Sequence, residues 1–372
     1  MPWKLLSPDW QAVVVDSGNG AGWDDFIRGS ANGQFQQSTP WAAVKQHAGW
    51  NVCRVHLLYQ GSLGGGFSLL WRRSRLGRIG YVSKGPVLEP ETEAAAKCAV
   101  QALKQAAAAL RLRGLVVQAP DESRVTDTTL ALQGFPADPV SSVVDATLVL
   151  GLAAGVAGVE NAFHKTARRN LRQAKSRGTT IRLGSESDLP IFFDLLSATC
   201  ARRGTRPNPS SVSQLQSIWR GFHPQGELRL AFAECAGHIV AGTLTIGFGN
   251  RATLWKIGWN GTHPEFHPND LLTHSEILWA IEQGYQLCDF GAIHRRLAEQ
   301  ATTGDSLDLS QIEGRYRYLL QFGGRPKLLP QARFYSPNRF IAWSYRLGLA
   351  PILRCAAKSY RFLQPGRPSP PA

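Results

Sequence analysis

The strongest signal in the chain is the stretch FHKTARRNLRQAKSRG, residues Phe163 to Gly178. Four apolar residues recur in it at helical spacing: Phe163, Ala167, Leu171 and Ala174. The basic residues crowd the other side, with no acid among them: Lys165, Arg168, Arg169, Arg172 and Lys175. Gly178 suits the left-handed residue that ends a helix. The stretch predicts an amphipathic helix whose basic face is either simply solvated or binds a phosphate-bearing partner.

The charge of the whole chain points in the same direction. The formal net charge of the 372 residues is +14, and it is unevenly distributed. Glu313 is the last acidic residue, and eleven Lys and Arg residues follow it. This asymmetry indicates nucleic acid, a phosphorylated substrate or an anionic membrane surface as the partner, and charge alone does not choose among them.

Six cysteines are scattered singly through the chain, without a Cys-x-x-Cys pair. This spacing indicates neither a zinc site nor a disulfide framework, and it favours buried free thiols in a reducing cytoplasm. The histidines in loops also lack metal-ligand spacing, so no metal site is expected. The N-terminus has no apolar run of the signal-peptide kind, and no stretch of about 18 uncharged apolar residues occurs. The sequence predicts a cytoplasmic protein.

Strands and helices alternate in an order that occurs twice, which predicts an α/β (α+β) chain with mixed sheets flanked by helices. The first domain is expected at 1–142 and the second at 143–330. A basic amphipathic helical segment is expected at 331–363, followed by a disordered tail at 364–372. No coiled-coil arm is visible. The 331–363 segment could lie on an anionic membrane or dock back on the protein with its cations in solvent.

Within the first domain, a hairpin of strands at 50–59 and 67–71 is expected, followed by a helix over 91–113 and a buried strand at 115–120. Within the second, three strands form a meander between 227 and 258. A helix capped by Asn269 or Asp270 then runs to about 283, and a buried strand follows at 286–291.

Several segments of the chain resemble one known family. They are Gln37-Ser-Thr-Pro-Trp41, Gly85-Pro86, the basic helix with Ala241-Gly242, the run from Leu271 to Gly291, and the run Gly314-Arg-Tyr-Arg-Tyr-Leu-Leu-Gln-Phe-Gly-Gly324. In type and order they are similar to the segments of the FemABX peptidoglycan interpeptide-bridge aminoacyltransferases. The similarity spans roughly residues 30 to 326.

The resemblance implies two tandem GNAT (acyl-CoA N-acyltransferase-like) domains and an aminoacyltransferase activity. The donor would be aminoacyl-tRNA, with no other cofactor, and the acceptor an amine on a nucleotide-linked or lipid-linked muropeptide precursor. It implies that Lys45 and Arg169 contact precursor phosphates, and that Tyr316 and Phe322 shape a channel in the second domain. Trp41, Arg168 and Arg172 complete the expected substrate-binding set.

One position departs from the family pattern. The family places a lysine after "Y-x-F", where it is implicated in stabilising charge at the ester of aminoacyl-tRNA, and Leu319 stands there in this chain. Arg317 or Arg315 could supply a substitute cation. The departure leaves room for a different acyl donor or acceptor.

Asp289, at the end of a buried strand, is the most conspicuous candidate for a general base. Arg317, as the substitute cation, is the other expected catalytic residue. The alternative role of Asp289 is to bond the turn that follows it. His274, on the predicted helix, could move a proton or simply be packed.

A GNAT domain that uses acetyl-CoA holds the pyrophosphate at a glycine-rich helix start. The corresponding segment here, His267-Pro-Asn-Asp-Leu-Leu272, contains an acid and no glycine, which favours aminoacyl-tRNA. Two other functions stay open: a GNAT-fold acyltransferase of exopolysaccharide or envelope biosynthesis with a non-tRNA donor, and a catalytically silent binder of phosphoglycans.

Overall fold

The computed structural model describes residues 3–4, 9–16, 18, 22–74, 77–138, 141, 143–302, 312 and 314–347. These residues fall into two compact units. The first combines the described residues up to Asp145 with those from Leu329 to Leu347, and the second comprises the described residues from Ala146 to Leu328. The division between Asp145 and Ala146 lies three residues after the boundary expected at 142–143.

The described strands are β1 (Trp3–Lys4), β2 (Trp10–Val15), β3 (Asn51–Tyr59), β4 (Ser62–Ser74), β5 (Gly77–Ser83), β6 (Val87–Leu88), β7 (Leu112–Gln118), β8 (Ala146–Gly151), β9 (Thr180–Leu183), β10 (Leu228–Cys235), β11 (His238–Phe248), β12 (Arg251–Trp259), β13 (Leu287–Ala292), β14 (Arg325–Leu328) and β15 (Arg333–Tyr335). The described helices are α1 (Trp23–Gly29), α2 (Thr39–His47), α3 (Glu93–Ala109), α4 (Arg124–Leu132), α5 (Gly155–Asn161), α6 (Lys165–Ser176), α7 (Leu189–Arg202), α8 (Val212–Phe222), α9 (Pro268–Glu282), α10 (Arg295–Thr302), α11 (Gly314–Leu320) and α12 (Arg339–Arg346). Among these helices, none has both the length and the apolar character that a bilayer span requires.

The first unit is built on one sheet in the order β1-β2-β3-β4-β5-β7-β15, with β6 paired to β4. The predicted hairpin is confirmed as β3 and β4. The alanine-rich face of α3 packs on the sheet and forms much of the core of this unit. The prediction that this helix continues to residue 113 was wrong. The helix ends at Ala109, Arg111 takes a left-handed φ of 52°, and β7 starts at Leu112.

Two of the segments that carry the family resemblance meet in the first unit. The side-chain amide of Gln37 donates to the Ser83 carbonyl at 2.5 Å and accepts from the Ser68 amide at 2.7 Å. A Cβ at Gly85 would lie only 2.9 Å from the Gln37 amide carbon, so this close approach requires glycine. Gln37 therefore joins the start of α2 to two strands. This contact is a structural reason for the glutamine of the one segment and the glycine of the other.

The second unit is built on a sheet in the order β14-β8-β13-β12-β11-β10-β9. The predicted meander is confirmed as β10, β11 and β12. Within this sheet β12 and β13 run parallel, and they pair only from Arg251 and Leu287 to Thr253 and Asp289. Beyond that register the two strands separate, which opens the sheet between its central strands.

Helix α6 confirms the prediction made from the basic stretch. Ala167, Leu171 and Ala174 are buried, and the helix packs on α9. Gly178 follows the helix with a φ of +79°, as the left-handed stop requires. The four residues Arg168, Arg169, Arg172 and Lys175 are exposed.

The segment expected at 331–363 is not helical throughout. Its first part is the strand β15, which pairs antiparallel with β7 in the sheet of the first unit. Helix α12 follows, and its Tyr345 ring stacks on Phe334 at a centroid distance of 3.7 Å. Phe340 and Trp343 on the same helix are 69% and 53% exposed. Residues 348–372, including the predicted tail, lie outside the described residues, and membrane contact stays a prediction.

Candidate active site

The second unit contains a cavity of about 750 Å³ where β12 and β13 separate. Its walls come from the end of α7 and the loop after it, from β12, from the start of α9, from the end of β13 and from α11. A volume of this size is typical of sites that hold small molecules or the reactive end of a larger substrate. A Cβ at Gly258 would lie 2.6 Å from the backbone nitrogen of Leu196, so this glycine lets α7 pack directly on β12.

The start of α9 forms one side of the cavity. The helix begins at Pro268, which has no N–H group, and the residue before it is His267 rather than the predicted Asn269 or Asp270 cap. The amides of Asp270 and Leu271 donate to the His267 carbonyl at 3.1 and 3.3 Å. Because these donors are already used, this helix start offers little to a pyrophosphate.

Asp270 is the buried carboxylate of this cavity. It is 6% exposed, and one of its oxygens accepts a hydrogen bond from the Asn170 side chain at 3.0 Å. Burial raises the pKa of Asp270 above its ordinary value of 3.8, while the Asn170 hydrogen bond and the nearby His267 act in the opposite direction. A carboxylate with a raised pKa in a cavity is a candidate for accepting a proton from a substrate.

Helix α11 closes the cavity against α9. The Tyr318 hydroxyl donates to the Asn269 carbonyl at 2.5 Å and lies 2.7 Å from the Thr273 hydroxyl. Burial raises the pKa of Tyr318 well above its ordinary value of 10.0. Tyr316 and Leu319 line the cavity as well, so the position that departs from the family pattern faces the candidate site.

Two of the four arginine and lysine residues that line the cavity, Arg202 and Lys256, have different partners. Arg202 lies over the Trp259 ring, with 5.1 Å between the guanidinium carbon and the ring centroid, and it donates to the Trp259 carbonyl. Lys256, on β12, has its ammonium 4.9 Å from the centroid of the Trp255 ring. Burial lowers the pKa of Lys256 below its ordinary value of 10.5.

Asp289, the expected general base, makes contacts of a structural kind. One carboxylate oxygen accepts from the Thr147 hydroxyl at 2.5 Å and from the Gly291 amide at 2.8 Å. The other lies 3.0 Å from Arg251, and both side chains of this ion pair are 11% exposed. Asp289 is not among the residues that line the cavity. The alternative role, bonding the turn that follows the strand, is the one observed.

Two other expected site residues of the second unit also lie away from the cavity lining. Phe322 is fully buried and packs edge to face on Phe163 with 5.3 Å between ring centroids, so it belongs to the core. Arg317 is exposed on α11 and is not part of the lining. The side chain of Arg315 lies outside what the structure describes. His274 is packed, with Nε2 2.6 Å from Glu160, as the alternative for this residue had it.

The expected binding residues of the first unit are found together on α2. Trp41 is 8% exposed and meets Phe35 edge to face, with 5.0 Å between ring centroids. The Lys45 ammonium lies 4.6 Å from the Trp41 centroid, in cation–π geometry. In the second unit, the expected set Arg168, Arg169 and Arg172 forms the exposed face of α6.

Five of the six cysteines fall within the described residues, and all five are free thiols. Cys200 lines the cavity, and Cys355 lies outside the described residues. In the part of the chain that the structure describes, no three His, Cys, Asp or Glu side chains come together as metal ligands would.

Asp270 and Lys256 line the candidate site but were not among the site residues predicted from the sequence. The signals were present, because an acid stands where a GNAT helix start has glycine, and a lysine interrupts the apolar strand Leu-Trp-Lys-Ile. Neither signal places its side chain in a cavity until the pairing of β12 and β13 is known.

Comparison with known proteins identifies a domain family and a relative that the chain resembles. The family model for the acetyltransferase (GNAT) domain matches residues 161–301. The lipid II:glycine glycyltransferase of Staphylococcus aureus (strain MRSA252) is 25% identical over 221 residues, which cover 56% of this chain and 52% of the relative. The chain therefore spans about half the length of the curated relatives it matches.

Two solved structures share the fold. The crystal structure of FemX superposes with a TM-score of 0.75 at 17% identity, covering 90% of this chain and 99% of FemX. A tandem GNAT protein from the clavulanic acid biosynthesis pathway gives a TM-score of 0.54 at 11% identity, covering 88% of this chain and 99% of that protein. These findings confirm the predicted fold of two tandem GNAT domains and support the resemblance to the FemABX family.

Proposed function

We propose that this chain is an acyltransferase that moves an aminoacyl group onto an amine of a peptidoglycan precursor, in the second-unit cavity between β12 and β13. The cavity is the observation that carries the proposal, because it combines a buried carboxylate with a cation beside an opening in a GNAT sheet. The relative named lipid II:glycine glycyltransferase and the FemX fold support this substrate class.

Aminoacyl-tRNA is the proposed donor, and the start of α9 supports this choice over acyl-CoA. A bound pyrophosphate needs free amides at a helix start, and it is repelled by a carboxylate there. In this chain Pro268 lacks an N–H group, and the Asp270 carboxylate occupies the first turn. An ester on a terminal ribose needs no pyrophosphate cradle at this position.

The proposed reaction is aminolysis of the donor ester. The acceptor amine attacks the ester carbonyl carbon, the carbon–nitrogen bond forms, and the carbonyl oxygen carries a negative charge in the tetrahedral intermediate. Asp270 accepts the proton that the attacking nitrogen loses, a role that suits a carboxylate with a raised pKa. The intermediate collapses when the bond to the ribose oxygen breaks, and that oxygen takes up the proton that Asp270 holds, so the carboxylate is regenerated.

The acceptor is proposed to be held through its diphosphate, which nucleotide-linked and lipid-linked precursors share. The exposed arginines of α6 are the groups proposed for this contact. For Lys45, which lies over Trp41 in the first unit, phosphate binding stays a prediction of its own. Arginine forks bind phosphate oxygens in pairs, while lysine acts as a point charge.

Reversal of two charges on α6 tests this contact. The double variant Arg169→Glu/Arg172→Glu is expected to weaken binding of a soluble uridine-diphosphate-linked muropeptide at least about 10-fold, because charge-assisted hydrogen bonds contribute about 1.5–3 kcal/mol each. Isothermal titration calorimetry gives the affinity. Arg124→Glu, on an exposed arginine of α4, is the matched control and should bind as the wild type does. Equal affinities for all three proteins would exclude α6 from the site.

The proposed reaction itself is tested by transfer of a radiolabelled amino acid. The protein is incubated with a pool of charged tRNA and a muropeptide precursor, and acetyl-CoA replaces the tRNA in a parallel reaction. Label should move from tRNA to the precursor, and ribonuclease treatment of the donor should abolish the transfer. Transfer only from acetyl-CoA would contradict the donor assignment and favour the GNAT acyltransferase alternative. Binding of the precursor without transfer from either donor would favour the silent phosphoglycan binder.

A further inference from the structure

Lys256 is placed in the cavity by an irregularity of β12. The strand pairs with β11 at Leu244 and Lys256, and then at Thr245 and Leu254, so Trp255 is an extra residue in a β-bulge. Side chains of a regular strand alternate between its faces, but the bulge breaks this alternation. As a result four consecutive residues line the cavity: Leu254, Trp255, Lys256 and Ile257.

The bulge lies just past the last pair between β12 and β13, which joins Thr253 and Asp289. Lys256 therefore follows the point where the sheet opens. Bulges are enriched beside active sites because they redirect a side chain without changing the rest of the strand. The position of this bulge is what a site between the two strands requires.

Among the described residues, no carboxylate forms an ion pair with the Lys256 ammonium. The ammonium lies over the face of the Trp255 ring, and the thiol of Cys200, which lines the same cavity, raises the pKa of Lys256 and so opposes the effect of burial. Two other half-buried cations of this unit differ, since Arg229 pairs with Glu276 and Arg251 pairs with Asp289. A desolvated cation without a counter-charge is unfavourable, and its lowered pKa reports this. A ligand that brings negative charge into the cavity relieves that cost.

We infer that Lys256 is a catalytic residue that stabilises the negative charge on the carbonyl oxygen of the transferred acyl group. The inference rests on the proposed function. The ammonium donates a hydrogen bond to the oxygen when the acceptor amine adds to the carbonyl carbon, and it keeps its proton while the bond to the ribose oxygen breaks. Leu319 lines the same cavity, so its wall on α11 is apolar at the position where the family resemblance expects a lysine. The charge comes from β12 instead.

The kinetic test compares three variants under single-turnover and steady-state conditions. Lys256→Met keeps the length of the side chain and removes its charge, and it should lower kcat about 100- to 1,000-fold with KM changed less than about 3-fold. Lys256→Arg should recover part of the loss. Lys97→Met is the control, because Lys97 is an exposed residue of α3 in the first unit that pairs with the exposed Glu93. A kcat for Lys256→Met within about 3-fold of the wild type, or a loss confined to KM, would overturn the inference.

A second measurement separates this inference from the proposed function, since it needs no turnover. Pyridoxal 5′-phosphate, an anionic aldehyde, forms imines with unprotonated lysines, and borohydride followed by peptide mass spectrometry locates them. Lys256 should be modified at pH 7 several-fold faster than Lys97, and a glycyl-adenosine analogue with a 3′-amide in place of the ester should protect it. Rapid, protected labelling in a protein that transfers nothing from charged tRNA would overturn the proposed reaction and leave Lys256 as the anion-binding group of the cavity. Labelling of Lys256 that is equally fast with and without the analogue would overturn the inference itself.

Discussion

Replacement of Asp270 by asparagine is expected to lower the rate of aminoacyl transfer about 100-fold or more, the range in which a positioned general base contributes. Asparagine keeps the size of the side chain and its contact with Asn170, so the start of α9 is retained while the proton acceptor is lost. Single-turnover transfer from charged tRNA, with folding checked by circular dichroism, measures the effect. A rate within about 3-fold of the wild type would restrict Asp270 to a structural role.

The pH dependence of the reaction gives an independent test of Asp270. Only the ionised carboxylate accepts a proton, so the rate should rise with pH through the pKa of Asp270, which burial places above 3.8. This rise of the rate with pH should be absent in Asp270→Asn. In Asn170→Ala the rate should rise at higher pH and reach the same maximum, because the Asn170 hydrogen bond favours the charged form of Asp270. If the rise of the rate with pH is unchanged in both variants, it reports the titration of a group other than Asp270.

Replacement of Asp289 by asparagine is expected to have a large effect of a different kind, a loss of about 3–5 kcal/mol in the free energy of unfolding. The Arg251 guanidinium would remain buried without its anion, at a site where both side chains are 11% exposed. The midpoint of urea unfolding, followed by tryptophan fluorescence, measures the loss. The kcat of the protein that remains folded should stay close to that of the wild type, because Asp289 does not line the cavity.

Two comparisons make the Asp289 result interpretable. Glu299→Gln removes an exposed ion pair with Arg295 on α10 and should cost less than about 1 kcal/mol. The double variant Arg251→Met/Asp289→Leu removes both charges. Its loss in the free energy of unfolding should be smaller than the sum of the losses in Arg251→Met and Asp289→Leu. A large fall in kcat for Asp289→Asn with normal stability would return Asp289 to the list of catalytic groups.

Asp289 and Asp270 illustrate how far the sequence predicts this site. Period and composition predict the strand that carries Asp289 and the helix that carries Asp270, and both elements are observed. The role of each carboxylate depends on its neighbours in space. Asp289 is conspicuous at the end of an apolar strand, but the parallel pairing with β12 places it beside Arg251. No local pattern in the sequence indicates that pairing.

The dependence of a side chain's role on its neighbours in space also explains the other differences between the predicted and the observed site. The bulge at Trp255 is a property of the pairing between β11 and β12, so a strand pattern alone predicts that Trp255 and Lys256 lie on opposite faces. Phe322 was assigned from family resemblance, which identifies a segment but does not distinguish its core side chains from those that line a cavity. The basic helix α6 was predicted correctly because its period, charge and stop signal are all local.

The strand β15 has a consequence for how the chain is made. It completes the sheet beside β7 from a position more than 200 residues later in the sequence, and Arg333 joins it to Asp127 on α4 through contacts of 2.6 and 3.0 Å. During synthesis, residues 1–145 therefore emerge from the ribosome before β15 does. The outer edge of β7 stays unpaired until the whole second unit has also emerged. An open sheet edge is a template for association with other chains. Nascent chains that stall before residue 333 are consequently the form of this protein most exposed to aggregation and to capture by chaperones.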